Sequence, residues 1–117
     1  MIYKDLKVWQ KSMSLVNQIY TVTKEFPDCE KFGLVSQLRR ASVSIPSNIA
    51  EGYGRGSKLE YSRFAKISRG SVFELDTQLE IAQTQRFLDE LTHKNITKNI
   101  DEVGRMLKGL INSLERS

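Results

Sequence analysis

Cysteine and histidine each occur once in this chain of 117 residues, proline twice and glycine seven times. The single cysteine, Cys29, excludes an intrachain disulfide and any cysteine-based zinc site. The single histidine, His93, excludes a site needing two imidazoles from one chain. So few prolines and glycines argue against a loop-rich β fold and against a disordered chain. The longest unbroken apolar run is three residues, Met1 to Tyr3, whereas a membrane helix needs about 20. The opening decapeptide has no apolar stretch of signal-peptide length. The expectation is a cytoplasmic chain with no membrane partner, in which a lone thiol is unremarkable.

What is present is ordinary for a globular domain: 39% hydrophobic and 27% charged residues, with 18 basic against 14 acidic side chains and a net charge of +4. A chain this long buries roughly two thirds of its unfolded surface, so one core over residues 1–117 is expected. The apolar periodicity is helical almost throughout and predicts four helices, over about 5–25, 31–51, 57–85 and 92–114. With short connections, this predicts an all-α, antiparallel up-down four-helix bundle.

Helix by helix the patterns differ. The first carries two apolar stripes, Leu6, Trp9, Met13, Val16 and Tyr20, and beside them Val8, Leu15, Ile19, Val22 and Phe26. Together they cover roughly 200° of the helix, about twice the core-facing stripe a surface helix needs. In the second, Leu34, Leu38, Ala41, Ile45 and Ile49 form one face, and Val43, Pro46 and Ala50 a weaker strip roughly opposite. Pro46 inside the pattern predicts a kink near Ser42 to Pro46. Gly52-Tyr53-Gly54-Arg55-Gly56 is read as a break, after which Ser57 and Glu60 suggest a capping box. Thr92 is the expected N-cap of the fourth helix, whose seam is Ile96, Ile100, Val103, Leu107, Leu110 and Leu114. Gly104 and Gly109 on that helix either permit close packing or weaken the element.

No constellation for catalysis or metal binding emerges. A serine or cysteine nucleophile needs a nearby base, usually histidine. His93 sits at a polar helix start between Thr92 and Lys94 and reads as an exposed surface residue. Cys29 lies between Asp28 and Glu30, whose charges raise a thiol pKa. The Glu-x-x-His pairs of di-iron bundles are absent. Asp76 and Glu80 share a helix face with no third carboxylate converging on them. The glycine segment follows a helix and lacks the Gly-Lys-Ser/Thr ending of a phosphate loop. No enzyme activity, cofactor or metal is expected.

Charge is more informative. Residues 32–70 hold seven cations (Arg39, Arg40, Arg55, Lys58, Arg63, Lys66 and Arg69) against two anions, net +5. Residues 71–90 hold five anions against one cation, net −4. The seven cations are the candidate nucleic-acid-binding residues, with Tyr53 the one aromatic among them free of an evident core role. The other reading is a protein-interaction or adaptor module whose charge separation serves self-assembly. Hairpin register also places Arg40 opposite residues 70–74 and predicts a partly buried Arg40–Glu74 ion pair.

The run from Gln37 to Gly52, QLRRASVSIPSNIAEG, is unusual in carrying a proline within a helix. With Asp5-Leu6-x-Val8-Trp9, Phe26-Pro27 and Arg69-Gly70-Ser71-x-x-Glu74-Leu75, it resembles a family of four-helix bundle proteins. They are encoded in intervening sequences of bacterial large-subunit ribosomal RNA genes. The chain is more distantly similar to the basic accessory protein of diversity-generating retroelements, which binds RNA and a reverse transcriptase. Gln85-Arg86 departs from the family's glycine-containing end of the third helix. The resemblance implies a ring-shaped homo-oligomer, a homopentamer in several members, and no enzyme activity. It implies no molecular role beyond that. A ring would cover the surplus apolar surface of the first two helices. Val8, Leu15, Ile19, Val22, Val43, Pro46 and Ala50 are the interface candidates.

Overall fold

The four apolar patterns become four helices. The computed structural model describes residues 2–116, in which α1 is Lys7–Thr23, α2 Leu34–Gly54, α3 Lys58–Thr84 and α4 Glu90–Glu115. Single 3-10 turns at Tyr3–Asp5 and Asp28–Glu30 flank α1, and no strand occurs among the described residues.

Local chemistry sets the boundaries. α1 ends before Pro27, and α2 starts only after Gly33, three residues later than the expected start near residue 31. Ser57 caps α3 by accepting the Glu60 N–H at 3.2 Å. Glu60 turns its carboxylate to Arg63 instead of completing a capping box. Asp89, not Thr92, is the N-cap of α4: its carboxylate accepts the Thr92 N–H at 2.7 Å. That bond to the Thr92 backbone holds the Asp89 carboxyl below its ordinary pKa. The deviation in α2 concerns the glycine segment. α2 runs on through Pro46 and through Gly52 to Gly54, and the chain turns only at Arg55 and at Gly56, whose φ is +84°.

The exit of α3 is the second left-handed position. Arg86 has φ +64°, and the Phe87 N–H reaches back to the Ala82 carbonyl at 2.9 Å. This is a Schellman-type closure, in which glycine is the usual residue. An L-residue there costs about 1–2 kcal/mol, partly offset by the unfolded-state entropy that glycine would add. Arg86→Gly is therefore expected to stabilise the chain by roughly 0.5–1 kcal/mol. Thermal unfolding at matched protein concentration checks it.

The helices contact one another in a cycle: α1 with α2, α2 with α3, α3 with α4, and α4 with α1. Among the described residues, neither diagonal pair brings Cα atoms within 8 Å of each other. The core inside this cycle is built from Leu15 and Ile19 of α1, Leu38, Ile45 and Ile49 of α2, Leu75 and Leu79 of α3, and Ile96, Ile100, Val103 and Leu107 of α4. The α2 seam is buried at all five expected positions, while in α4 Ile111 replaces Leu110 and Leu114 as the last buried residue.

The α2–α3 contact is tight and partly polar. Ser68 is fully buried and donates to the Ile45 carbonyl at 2.9 Å, one residue before Pro46. Ser44 and Ser71 hydroxyls meet at 2.8 Å. The predicted Arg40–Glu74 ion pair is not formed: both side chains are exposed, and no salt bridge joins them. Small hydroxyls already close the contact at this level, so the two charged side chains remain hydrated outside it.

Candidate assembly and nucleic-acid surfaces

Two stripes on α1 compete for the core, and the structure resolves which one wins. Val8, Ser12, Leu15, Ile19 and Thr23 are the buried set. Two of these are hydroxylic. Ser12 donates to the Trp9 carbonyl at 2.8 Å and Thr23 to the Ile19 carbonyl at 2.7 Å, so neither hydroxyl enters the core unsatisfied. The outward stripe is therefore the wholly apolar one: Trp9, Met13 and Val16 are half-buried and Tyr20 exposed. Val8, Leu15 and Ile19 are thus corrected from interface candidates to core residues, with at most 6% of their surface exposed. Val22 is half-buried against the same core.

The three α2 candidates lie elsewhere. Val43 is 40% exposed, Ala50 half-buried and Pro46 buried. With Trp9, Met13 and Val16 they line a groove of about 350 Å³ between α1 and α2, with Tyr3 and Ser47 at its rim. Sequence reasoning found the α2 side of this groove and chose the wrong stripe for the α1 side.

Most of the seven candidate cations already have partners. Arg39 staples α2 to α1: its Nε donates to Thr23 Oγ1 at 3.0 Å, and its guanidinium lies 4.5 Å from the Tyr20 ring centre. Arg55 pairs with Glu51 at 2.8 Å and lies over the Phe64 ring. Arg63 pairs with Glu60 and shares the same ring. Lys66 pairs with Glu115 across α3 and α4, and this holds the Glu115 carboxyl below its ordinary pKa. Lys58 and Arg40 are exposed. Tyr53, the aromatic of the basic stretch without an evident core role, packs edge-on to Tyr3 and Tyr61.

A different group of cations converges at the α3–α4 edge. Arg69 of α3 meets Arg105 and Lys108 of α4 along a trough made of two cavities, of about 240 and 340 Å³. Arg69, Phe73 and Lys108 line both, and Lys66 lies at one end. Phe73 is 57% exposed, with the Arg69 guanidinium 5.1 Å from its ring centre. Sequence reasoning missed Arg105 and Lys108 because they fall 35 or more positions beyond the basic stretch. Only the packing of α4 on α3 brings them beside Arg69.

The opposite end of the trough is acidic. Asp76 and Asp101 line it, and Glu80 lies nearby, with its carboxylate 2.8 Å from His93 Nε2, though without hydrogen-bond alignment. The His93 side chain is only 14% exposed, so it is not the surface residue expected. Burial, then the charges of Asp101 and Glu80, push the Asp76 carboxyl above its ordinary pKa. A carboxyl with a raised folded-state pKa contributes stability while protonated and loses it as pH rises through that value. Asp76→Asn is therefore expected to raise the unfolding midpoint at neutral pH. Below the carboxylate range the difference should vanish, which a pair of melts at the two pH values checks.

No group of three or more potential metal ligands occurs among the described residues, Cys29 is exposed, and no helix is long and apolar enough to cross a membrane. The model of the 23S rRNA-intervening sequence protein family matches residues 4–109. No curated protein matches the chain. Among solved structures, the chain is similar to the crystal structure of a protein of unknown function from the S23 ribosomal protein family of Bacteroides thetaiotaomicron. The two are 20% identical and superpose with a TM-score of 0.80 over 89% of this chain and 97% of that one. At that identity the likeness establishes the fold.

Proposed function

We propose a non-enzymatic assembly role for this chain, which belongs to the 23S rRNA-intervening sequence protein family. It works as a homo-oligomer whose copies meet through the α1–α2 groove. The observation that carries this reading is the composition of the groove. Six of its eight lining residues, Trp9, Met13, Val16, Val43, Pro46 and Ala50, are apolar. Apolar residues exposed singly are ordinary, but a contiguous apolar face rimmed by polar residues marks an association surface.

Contacts between the helices support an up-down arrangement. Lys66 of α3 pairs with Glu115 of α4, while Glu80 lies by His93, so numbers rise on one helix as they fall on the other. The same holds where Lys11 and Gln18 of α1 meet Glu102 and Asn99 of α4. The family resemblance favours a ring of five. A ring needs a heterologous contact, in which the groove of one copy receives a different surface of the next.

Assembly through charge separation has less support, because Arg55, Arg63 and Lys66 are paired within the chain. Sedimentation equilibrium at micromolar concentration tests the proposal. A mass of several chains is expected, and a single-chain mass would overturn it.

A further inference from the structure

The geometry points to the α3–α4 trough as a binding site for single-stranded nucleic acid, with phosphates on Arg69, Arg105 and Lys108 and a base against Phe73. The trough is continuous, because Arg69, Phe73 and Lys108 line both of its cavities. Its larger cavity, about 340 Å³, reaches the size of clefts that hold small organic ligands, from roughly 300 Å³.

The charge here is available. Neither Arg69, Arg105 nor Lys108 makes a salt bridge among the described residues. Arg69 also carries a buried Nε with no hydrogen-bond partner. By contrast, the cations at the α2–α3 turn include Arg55 and Arg63, which are held by Glu51 and Glu60.

Charge alone would suit any polyanion, and Phe73 narrows the class. A phenylalanine 57% exposed beneath a guanidinium offers a stacking surface that accepts any base. Strand-binding proteins combine such surfaces with a cationic track along the backbone. An acidic peptide would satisfy the cations and make no use of the exposed ring. Asp76 and Asp101 limit the cationic track at one end. The site does not rest on the assembly reading, because the α1–α2 and α3–α4 contacts lie on opposite edges of the helix cycle.

Fluorescence anisotropy of a short labelled oligouridylate against the full chain tests the site. The wild type is expected to bind, with affinity falling as salt rises by a log–log slope of roughly −0.7 per phosphate contact. Arg105→Gln with Lys108→Gln, both at exposed α4 positions, should weaken binding about tenfold or more and flatten the slope by roughly 1.4. Phe73→Ala should weaken it about fivefold or more and leave the slope unchanged. Arg55→Gln with Lys58→Gln should stay within about twofold of wild type, since this pair lies outside the trough. Circular dichroism and sedimented mass identify any variant that has changed fold or assembly. Lys108→Gln alone, expected to flatten the slope by about 0.7, then replaces the double variant. Absence of binding at low salt would overturn the proposal, as would trough variants that bind like wild type. Equal displacement by polyglutamate with no effect of Phe73→Ala would assign the trough to acidic peptides and overturn it as well.

Discussion

Gly52→Ala is expected to be among the most damaging single-methyl additions to this chain. A Cβ built on Gly52 meets the Phe64 Cβ at 2.7 Å and the Tyr61 carbonyl oxygen at 3.2 Å. Neither atom is the far end of a flexible side chain, so relief requires α3 to move away from α2. Alanine gains about 1 kcal/mol over glycine in a helix interior, while forced overpacking costs typically 1–3 kcal/mol and occasionally more. With both close contacts fixed to α3 main chain or its Cβ, the clash should win, leaving a net loss of about 2 kcal/mol. Gly109→Ala is the matched control. It lies within α4 with nothing within 4 Å of its added methyl, so it should stabilise by about 0.5–1 kcal/mol. Denaturant melts at equal concentration should move the midpoint in opposite directions. A Gly52→Ala midpoint at or above wild type would show that α3 retreats without penalty.

The same glycine shows where the sequence was legible and where it was not. Four helices could be read because each long seam repeats with helical period, and Leu38, Ala41, Ile45 and Ile49 are indeed buried. Gly52, Gly54 and Gly56 looked like one breaker, yet the first two are helical and only Gly56 takes a left-handed φ. What holds Gly52 in place is α3 pressing on it, a tertiary contact that no window along the chain contains. Gly104 and Gly109 stand out against a clean seam and read as either close helix approach or a weaker element. At Gly109 a methyl would meet open space, and at Gly104 only Val72 at an ordinary 3.5 Å.

The surfaces follow the same logic. Apolar period located two stripes on α1 without saying which faces inward. Favouring the core for Trp9, Met13 and Val16 ignored that Ser12 and Thr23 can bond their own helix carbonyls and so accompany Val8, Leu15 and Ile19 into the interior. The cation count over residues 32–70 measured proximity along the chain. Local pairing then drew Arg55 to Glu51 and Arg63 to Glu60, three or four residues away. Arg69, Arg105 and Lys108 of the trough sit on two helices, and α3 to α4 register decides their meeting.

Met13→Glu combined with Val43→Glu is expected to reduce the sedimented mass to that of one chain. Met13 of α1 and Val43 of α2 both line the groove, one half-buried and the other 40% exposed. In a lone chain both carboxylates can remain hydrated, so the helices and the core beneath them should persist. In an assembly they would be covered without a cation among the groove-lining residues. An unpaired charge in a closed contact costs several kcal/mol, and at 1.4 kcal/mol per tenfold, two of them should weaken association by about a thousandfold or more. Gln85→Glu adds a charge at the exposed exit of α3, away from the groove, and should leave the mass unchanged. The double variant separates two explanations for the apolar stripe. If mass falls while the far-ultraviolet spectrum and oligouridylate binding persist, the stripe serves contact between copies, and nucleic-acid binding belongs to the opposite edge. If mass stays at several chains, the copies meet elsewhere and the groove is left as a surface for a different partner.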